Sequence, residues 1–337
     1  MTTTIAVIGA GSWGTALAVL LAKKGYKVNL WVYEEDDYQA ITRERENRRY
    51  LPGISIPSNV DVYFELKHAV RKQDVILLAV PSHAVRETAR KIAADVVNKP
   101  IIINAAKGLE ENTYKRLSQV IGEEIPQARI VVLSGPSHAE EVAQDIPTTV
   151  VCSSEDSEAA ERVQDIFMCP SFRVYTNSDL IGVETGGALK NIIALAAGIC
   201  YGLGYGDNTK AALMTRGVYE MAKLGQAVGA SALTFAGLSG IGDLIVTCTS
   251  MHSRNQRAGI LIGQGKSTEE ALTQIGMVVE GVKTCKAAYE LAQSLNIEMP
   301  ITEQLYRILY EGKDPASAVN DLMLRDKTHE SEKLVVP

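Results

Sequence analysis

The stretch Thr4-Ile5-Ala6-Val7-Ile8-Gly9-Ala10-Gly11-Ser12-Trp13-Gly14 decides how the whole chain is read. A short apolar, β-branched run ends in a GxGxxG pattern, and that pattern opens a segment, residues 12–24, with the apolar spacing of a helix. Each glycine meets a separate demand. Gly9 permits a tight turn, Gly11 lets backbone approach a pyrophosphate, and Gly14 lets the helix pack close to the strand. The helix start then offers unpaired N–H groups and the positive end of its dipole to phosphate oxygens. Strand, glycine turn and helix in this order point to a bound dinucleotide; the alternative is a glycine-rich turn shaped by packing alone.

Working outward, further β-branched runs occur at 27–32, 74–80, 100–104, 129–133 and 148–152, and they read as buried strands. Between them lie helical patterns such as 82–94 and 154–167; two of the three helices named so far open on a plausible serine cap. Alternating strand and helix predicts crossover units, hence a Rossmann-like, doubly wound, mostly parallel sheet. Beyond residue 176 the β-branched runs fade. Segments 179–201, 208–228, 253–263, 268–275, 280–295 and 302–311 all suit a 3.6-residue period, with glycine-rich loops at 202–206 and 237–242. The chain therefore divides at Asn177 and Ser178 into a dinucleotide-binding domain, 1–177, and an all-α substrate-binding and catalytic domain, 178–337, whose residues 328–337 fray.

The composition fits two ordinary globular domains: 337 residues, 46% hydrophobic, with 34 Lys and Arg against 40 Asp and Glu for a net charge of −6. That mild acidity argues against a nucleic-acid partner, so an anionic ligand has to be held by local chemistry. Five scattered cysteines without a CxxC pair suit buried thiols in a reducing compartment, and no cluster of histidines suggests a metal. The start lacks the basic region of a signal peptide, and the most apolar internal run, 192–200, covers about half a membrane span. A cytoplasmic protein with no stable membrane insertion is the expectation.

Lys190 follows two adjacent glycines, Gly186 and Gly187, within a helical pattern. Such glycines cost roughly 1 kcal/mol each against alanine, which asks for a tertiary reason. Lying three and four residues before Lys190, they leave room on its face for a ligand to approach the backbone and the ammonium. A buried lysine whose pKa is lowered suits proton donation to a carbonyl under reduction; a surface lysine beside helix-packing glycines is the plainer reading. Asp243, in the apolar stretch 240–247, needs a partner, for which Lys190 is the obvious candidate. Ser253, Arg254 and Asn255 at a helix start suit a phosphate, or simply a capped surface helix. Lys107, and Gly135 with Ser137, sit at carboxyl ends of predicted strands, where open α/β sheets place ligands; His138 there reads as structural. The second strand ends in Tyr33-Glu34-Glu35, where a carboxylate would favour NAD, while Arg43, Arg45, Arg48 and Arg49 could reach the 2′-phosphate of NADP.

Taken together, GAGSWGTA (9–16), NRRYLPG (47–53), AVPSH (79–83), AKGLE (106–110), SGPSHAEE (134–141), GGALKNIIALAAGI (186–199), GLSGIGDLIVTCTS (237–250), SRN (253–255) and VVEGV (278–282) closely resemble the bacterial NAD(P)-dependent glycerol-3-phosphate dehydrogenase family, in order and over nearly the whole chain. The resemblance implies reversible reduction of dihydroxyacetone phosphate to sn-glycerol 3-phosphate by NADH or NADPH, for phospholipid synthesis. It makes Lys190 the proton donor and acceptor, arranged by Asp243 and Thr247. It assigns substrate to Lys107, Gly135, Ser137, Lys190, Asp243, Ser253, Arg254 and Asn255. It assigns the dinucleotide to Gly9, Gly11, Ser12, Trp13, Gly14, Tyr33, Tyr50, Lys107, Ala139, Arg254, Val278 and Glu280. A largely apolar helical domain could supply a dimer face, and a homodimer is the expectation. Tyr33 departs from the His or Arg often found there, which leaves the choice between NAD and NADP open. The competing readings are a related hydroxyacid or 3-hydroxyacyl dehydrogenase and a non-catalytic dinucleotide sensor.

Overall fold

A computed structural model describes residues 3–96 and 99–330; of the segment expected to fray, 331–337 lie outside the described residues. The chain forms two compact units, one of Met1–Ala106 with Leu117–Leu180 and the other of Lys107–Arg116 with Ile181–Pro337. A single cut at 177 therefore misses one excursion. Ten residues from the middle of the first half belong to the second unit.

The first unit holds strands β1 (Thr4–Ile8), β2 (Lys27–Trp31), β3 (Glu46–Asn47), β4 (Leu51–Ser55), β5 (Val60–Tyr63), β6 (Val75–Leu78), β7 (Ile101–Asn104), β8 (Arg129–Ser134), β9 (Thr148–Ser153) and β10 (Phe172–Asn177). Its helices are α1 (Ser12–Lys23), α2 (Glu35–Glu44), α3 (Leu66–Val70), α4 (Val85–Ile92), α5 (Leu117–Glu124), α6 (Ala139–Ala143) and α7 (Ser157–Phe167). Eight strands form one sheet in the order β10-β9-β8-β7-β6-β1-β2-β5, and β3 pairs with β4 apart from it. Every neighbouring pair in the sheet is parallel except β8 with β9. The alternation of strand side chains explains the double winding: Ile5, Val7, Leu77 and Ile103 pack with Leu17, Leu21 and Phe167 on one face. On the other, Ala6, Ile8, Ile76 and Ile102 pack with Val85, Ile92 and Val120. The strand order reverses at β1, so the glycine turn that follows it lies at the topological switch point.

The short strands β3, β4, β5 and β10 were not among the predicted runs, because their apolar residues are few or interrupted. The expected serine caps are absent. Gly11 stands at the N-cap of α1 with no side-chain bond. A single turn, Ser82–Ala84, precedes α4. For α7 the cap is Asp156, which accepts from the Ala159 amide, while the Ser154 hydroxyl is committed to the Ile130 carbonyl.

The second unit contains α8 (Leu180–Gly202), α9 (Asp207–Ala227), α10 (Asp243–Thr249), α11 (Arg254–Gly263), α12 (Thr268–Ile275), α13 (Glu280–Ser294), α14 (Pro300–Glu311) and α15 (Pro315–Met323). Its core is built from Leu189, Ile192, Ile193, Leu195 and Ile199 of α8 with Met221, Leu244, Ala258, Cys285 and Leu305 from the helices around it. Helix α8 matches the helical segment expected at 179–201 and carries the apolar run 192–200 within it. It would reach across a membrane by length and composition, yet 94% of its apolar window is buried in the protein. Helices α8 and α11 meet backbone to backbone. A Cβ on Gly198 would stand 2.2 Å from the Gln256 carbonyl oxygen, one on Gly259 2.1 Å from that of Leu195, and one on Gly263 2.3 Å from that of Ile199. The predicted loop at 237–242 is instead a wide helical turn, broken at Gly240 (φ −95°, ψ −105°), that leads directly into α10.

Candidate functional site

The glycine turn of the first unit is built by packing on two of its three glycines and left open at the third. Gly9 has φ +112°, and a Cβ there would lie 2.8 Å from the Ala79 carbonyl oxygen. A Cβ on Gly14 would fall 1.9 Å from the Gly9 carbonyl oxygen, so the helix is seated hard on the turn. At Gly11 a Cβ would meet nothing within 4 Å. That open space faces the start of a twelve-residue helix with no side-chain cap, and the buried Trp13 Nε1 beside it has no partner. Space, free N–H groups and an orphan donor together fit a pyrophosphate. The sequence reading missed Asn47 of β3. Its buried amide donates to the Ala10 carbonyl (2.8 Å) and to Thr15 Oγ1 (2.9 Å), which locks the turn.

At the end of β2, Tyr33 is 68% exposed and stands edge-on to Trp31. Glu34 occupies the N-cap of α2, with Glu35, Asp36 and Asp37 in the first turn. The arginines proposed for a 2′-phosphate are largely committed elsewhere. Arg45 donates to the carbonyls of Ile56, Pro57 and Val60, Arg48 pairs with Glu44 and Glu46, and Arg49 pairs with Asp37 while covering the Tyr50 ring. Gly135 has φ +127° and sits 3.0 Å, measured from an added Cβ, from the Val150 Cα; Ser137 donates to its carbonyl. Ala139, buried, begins α6.

In the second unit a charged cluster is almost closed to water. Lys190 on α8 donates to Asp243 Oδ1 (2.6 Å) and to Thr247 Oγ1 (2.7 Å) on α10, and Lys107 donates to Asp243 Oδ2 (2.6 Å). The pairing expected of Lys190 and Asp243 is present; the second ammonium on the same carboxylate was not foreseen. Thr247 lies one helical turn after Asp243 and donates back to its carbonyl (2.5 Å), which fixes the hydroxyl oxygen toward Lys190. Burial lowers the Lys190 pKa to about 8, with the neighbouring Lys107 acting in the same direction and Asp243 against it. Burial pushes the Asp243 carboxyl up, but Lys107 and Lys190 hold it below the ordinary carboxylate range. Two ammonium groups share one carboxylate, so the cluster carries one surplus positive charge, suited to an anionic substrate.

The room supposed beside Gly186 is not there for a ligand. The turn at 237–242 fills it, and a Cβ on Gly186 would lie 2.8 Å from the Ser239 carbonyl oxygen. Ser253 caps α11, accepting from the Gln256 amide, and places Arg254 at the first position of that helix. Asn255 is buried: its Nδ2 donates to Asn191 Oδ1 (2.9 Å), and its Oδ1 accepts from the Gly281 amide (2.8 Å) next to Glu280 at the start of α13. Val278 lies just ahead of that start. Asn191 was overlooked, although an amide beside Lys190 in an apolar helix already signals a polar partner. Among the described residues no group of three His, Cys, Asp or Glu side chains is placed to hold a metal ion.

Residues 4–160 match the family model for the N-terminus of NAD-dependent glycerol-3-phosphate dehydrogenase, and residues 179–320 match that for its C-terminus. The chain belongs to the NAD-dependent glycerol-3-phosphate dehydrogenase family. A relative of this family from Moorella thermoacetica, named glycerol-3-phosphate dehydrogenase [NAD(P)+], is 59% identical over 332 residues, covering 98% of this chain and 99% of the relative. One of the same name from Pelotomaculum thermopropionicum is 57% identical over 335 residues, covering 98% and 96%. The crystal structure of glycerol-3-phosphate dehydrogenase from Coxiella burnetii superposes with a TM-score of 0.93 at 42% identity, covering 96% of this chain and 99% of that one.

Proposed function

We propose that this dehydrogenase catalyses the reversible reduction of dihydroxyacetone phosphate to sn-glycerol 3-phosphate with NADH or NADPH, and so supplies glycerophospholipid synthesis in the cytoplasm. The observation that carries the reading is the buried set Lys190, Asp243, Thr247 and Lys107. When bound, the reduced nicotinamide supplies hydride to the ketone carbon. Charge then grows on the ketone oxygen, and an adjacent ammonium stabilises it and protonates it. Lys190 is that ammonium. Asp243 holds it charged, Thr247 aims it, and Lys107 adds a second cation for the anionic substrate. Arg254, at a helix start shaped by Ser253 and Asn255, takes the phosphate by its forked donors, with Gly135 and Ser137 as further substrate contacts.

For the dinucleotide, Gly9, Gly11 and Gly14 with Ser12 and Trp13 receive the pyrophosphate at the head of α1. Tyr33, Tyr50, Lys107, Ala139, Arg254, Val278 and Glu280 line the remainder. The acidic first turn of α2 supports acceptance of NAD. A homodimer is supported by the exposed apolar residues Leu233, Ile245 and Met251 of the second unit, and sedimentation measures it directly.

Oxidation of NADH and of NADPH is to be followed with dihydroxyacetone phosphate, glyceraldehyde 3-phosphate and unphosphorylated dihydroxyacetone. Activity confined to dihydroxyacetone phosphate supports the reading, whereas activity indifferent to the phosphate favours another hydroxyl dehydrogenase. Lys190→Ala is expected to leave dinucleotide affinity nearly unchanged while lowering turnover at least ~100-fold. Turnover close to wild type in that variant removes Lys190 from the chemistry.

A further inference from the structure

The excursion Lys107–Arg116 carries Lys107 at its first residue and Arg116 at its last. Its ends are tied together. Leu109 and Arg116 face each other as an antiparallel bridge, the Glu110 amide donates to the Lys115 carbonyl (3.0 Å), and the Tyr114 amide donates to that of Glu110 (3.0 Å). Whatever fixes Arg116 therefore constrains Lys107. Arg116 Nη1 donates to Glu184 Oε2 on α8 at 2.7 Å, with the two side chains only 14% and 4% exposed. One turn further along α8, Ala188 packs with Leu109 and Ala287, with Tyr114 against them. At the tip, Glu111 pairs with Lys283 of α13 (2.9 Å).

We propose that Arg116 and Glu184 are a positioning pair that seats this loop on α8 and thereby sets Lys107 against Asp243. The proposal rests on the reading of Lys107 as a substrate-contacting group. A buried ion pair is a poor device for stability, since its desolvation cost is close to its Coulombic gain and an apolar pair can replace it. The Leu109–Ala188 contact supplies adhesion but no direction. A guanidinium on a carboxylate fixes direction, and a displacement of about 1 Å at a reacting group can cost roughly 100-fold in rate. The pair has a second consequence through charge. Lys190 is faced by Asp243, Lys107 and Cys248, and of these Lys107 disfavours its ammonium form. Withdrawing Lys107 raises the Lys190 pKa.

The test uses the full-length enzyme with Glu184→Gln, Arg116→Met, Lys107→Met and the double variant Glu184→Gln/Lys107→Met. Glu184→Gln and Arg116→Met should each raise KM for dihydroxyacetone phosphate or lower kcat by roughly 10- to 100-fold, and move the alkaline limb of the reduction to higher pH. Lys107→Met should move that limb in the same direction. In its background Glu184→Gln should add nothing further. Arg116→Lys, which keeps the charge without the forked geometry, should recover only part of the loss. If a lone buried charge prevents folding, Arg116→Met/Glu184→Met removes both charges and should melt near the wild-type temperature with the same kinetic defect. An unmoved limb, or losses that multiply in the double variant, overturns the positioning role. Wild-type kinetics in Lys107→Met would instead overturn the reading of Lys107 and leave a distinct signature.

Discussion

At the residue scale, the decisive object is an amine that the fold keeps from water and beside a single carboxylate. With its pKa lowered to about 8 by burial, Lys190 changes charge well below the range of an ordinary lysine. Reduction needs the ammonium, so kcat for dihydroxyacetone phosphate should fall as pH rises through about 8. Oxidation of glycerol 3-phosphate needs the free amine and should rise through the same pH. Asp243→Asn removes the charge that favours the ammonium, so the alkaline limb of the reduction should move to lower pH; stopped-flow pH profiles in both directions check both statements. The Lys190–Asp243 pair was legible because a lone charge in an apolar run must be matched. Lys107 was placed among substrate ligands but not on that carboxylate, since no local pattern connects positions 107 and 243. Gly186 was misread for a similar reason: the backbone that fills its space arrives from residue 239.

Among the elements, the long periodic segments were readable and their joints were not. The period of α8 marks a helix, but nothing in it shows which helix lies against Gly198. The answer is α11, whose Gly259 and Gly263 continue the seam begun by Asn191 and Asn255. Gly259→Ala would set a Cβ 2.1 Å from the Leu195 carbonyl oxygen. It should cost about 1–3 kcal/mol or more by thermal melting, and it should raise KM for the phosphorylated substrate by loosening Asn255. The start of α14 is joined in another way. Its N-cap, Met299, makes no side-chain capping bond, and Glu220 of α9 accepts from the Ile301 amide (2.6 Å) and from the Thr302 amide and hydroxyl. Burial pushes the Glu220 pKa up to about 7 despite those bonds. A carboxyl with a raised native pKa stabilises the fold fully below its ordinary value of 4.5 and loses that contribution as pH rises through about 7. Glu220→Gln cannot titrate. Between pH 4.5 and 7 the melting temperature of wild type should therefore fall relative to that of the variant, and a constant difference across that window refutes the assignment.

For the whole molecule, a linear sequence hides which segments fold together. The change from β-branched runs to helical periods placed one boundary at Asn177, and both the sheet and the helical unit were anticipated on either side of it. What no composition shift marks is that residues 107–116, lying between β7 and α5, are part of the helical unit. Their contribution is concentrated in two cations aimed at two buried carboxylates: Arg116 on Glu184 and Lys107 on Asp243, the acidic side chains being 4% and 2% exposed. A fragment beginning at residue 178 retains every helix from α8 onward yet loses both cations. Glu184 is then deprived of Arg116 in an apolar setting, Asp243 keeps Lys190 alone, and the surface once covered by Leu109 and Tyr114 is opened. Removing one partner of a buried ion pair costs about 3–5 kcal/mol, against a total stability of about 5–15 kcal/mol for a typical domain. The fragment 178–337 should therefore be helical in far-ultraviolet circular dichroism but melt without a sharp transition. Fusing residues 107–116 to its N-terminus through a flexible linker should restore part of the cooperativity, more than the same linker carrying the segment with Arg116→Met and Lys107→Met. A sharp, reversible melt of the bare fragment would show that the helical core stands without the excursion.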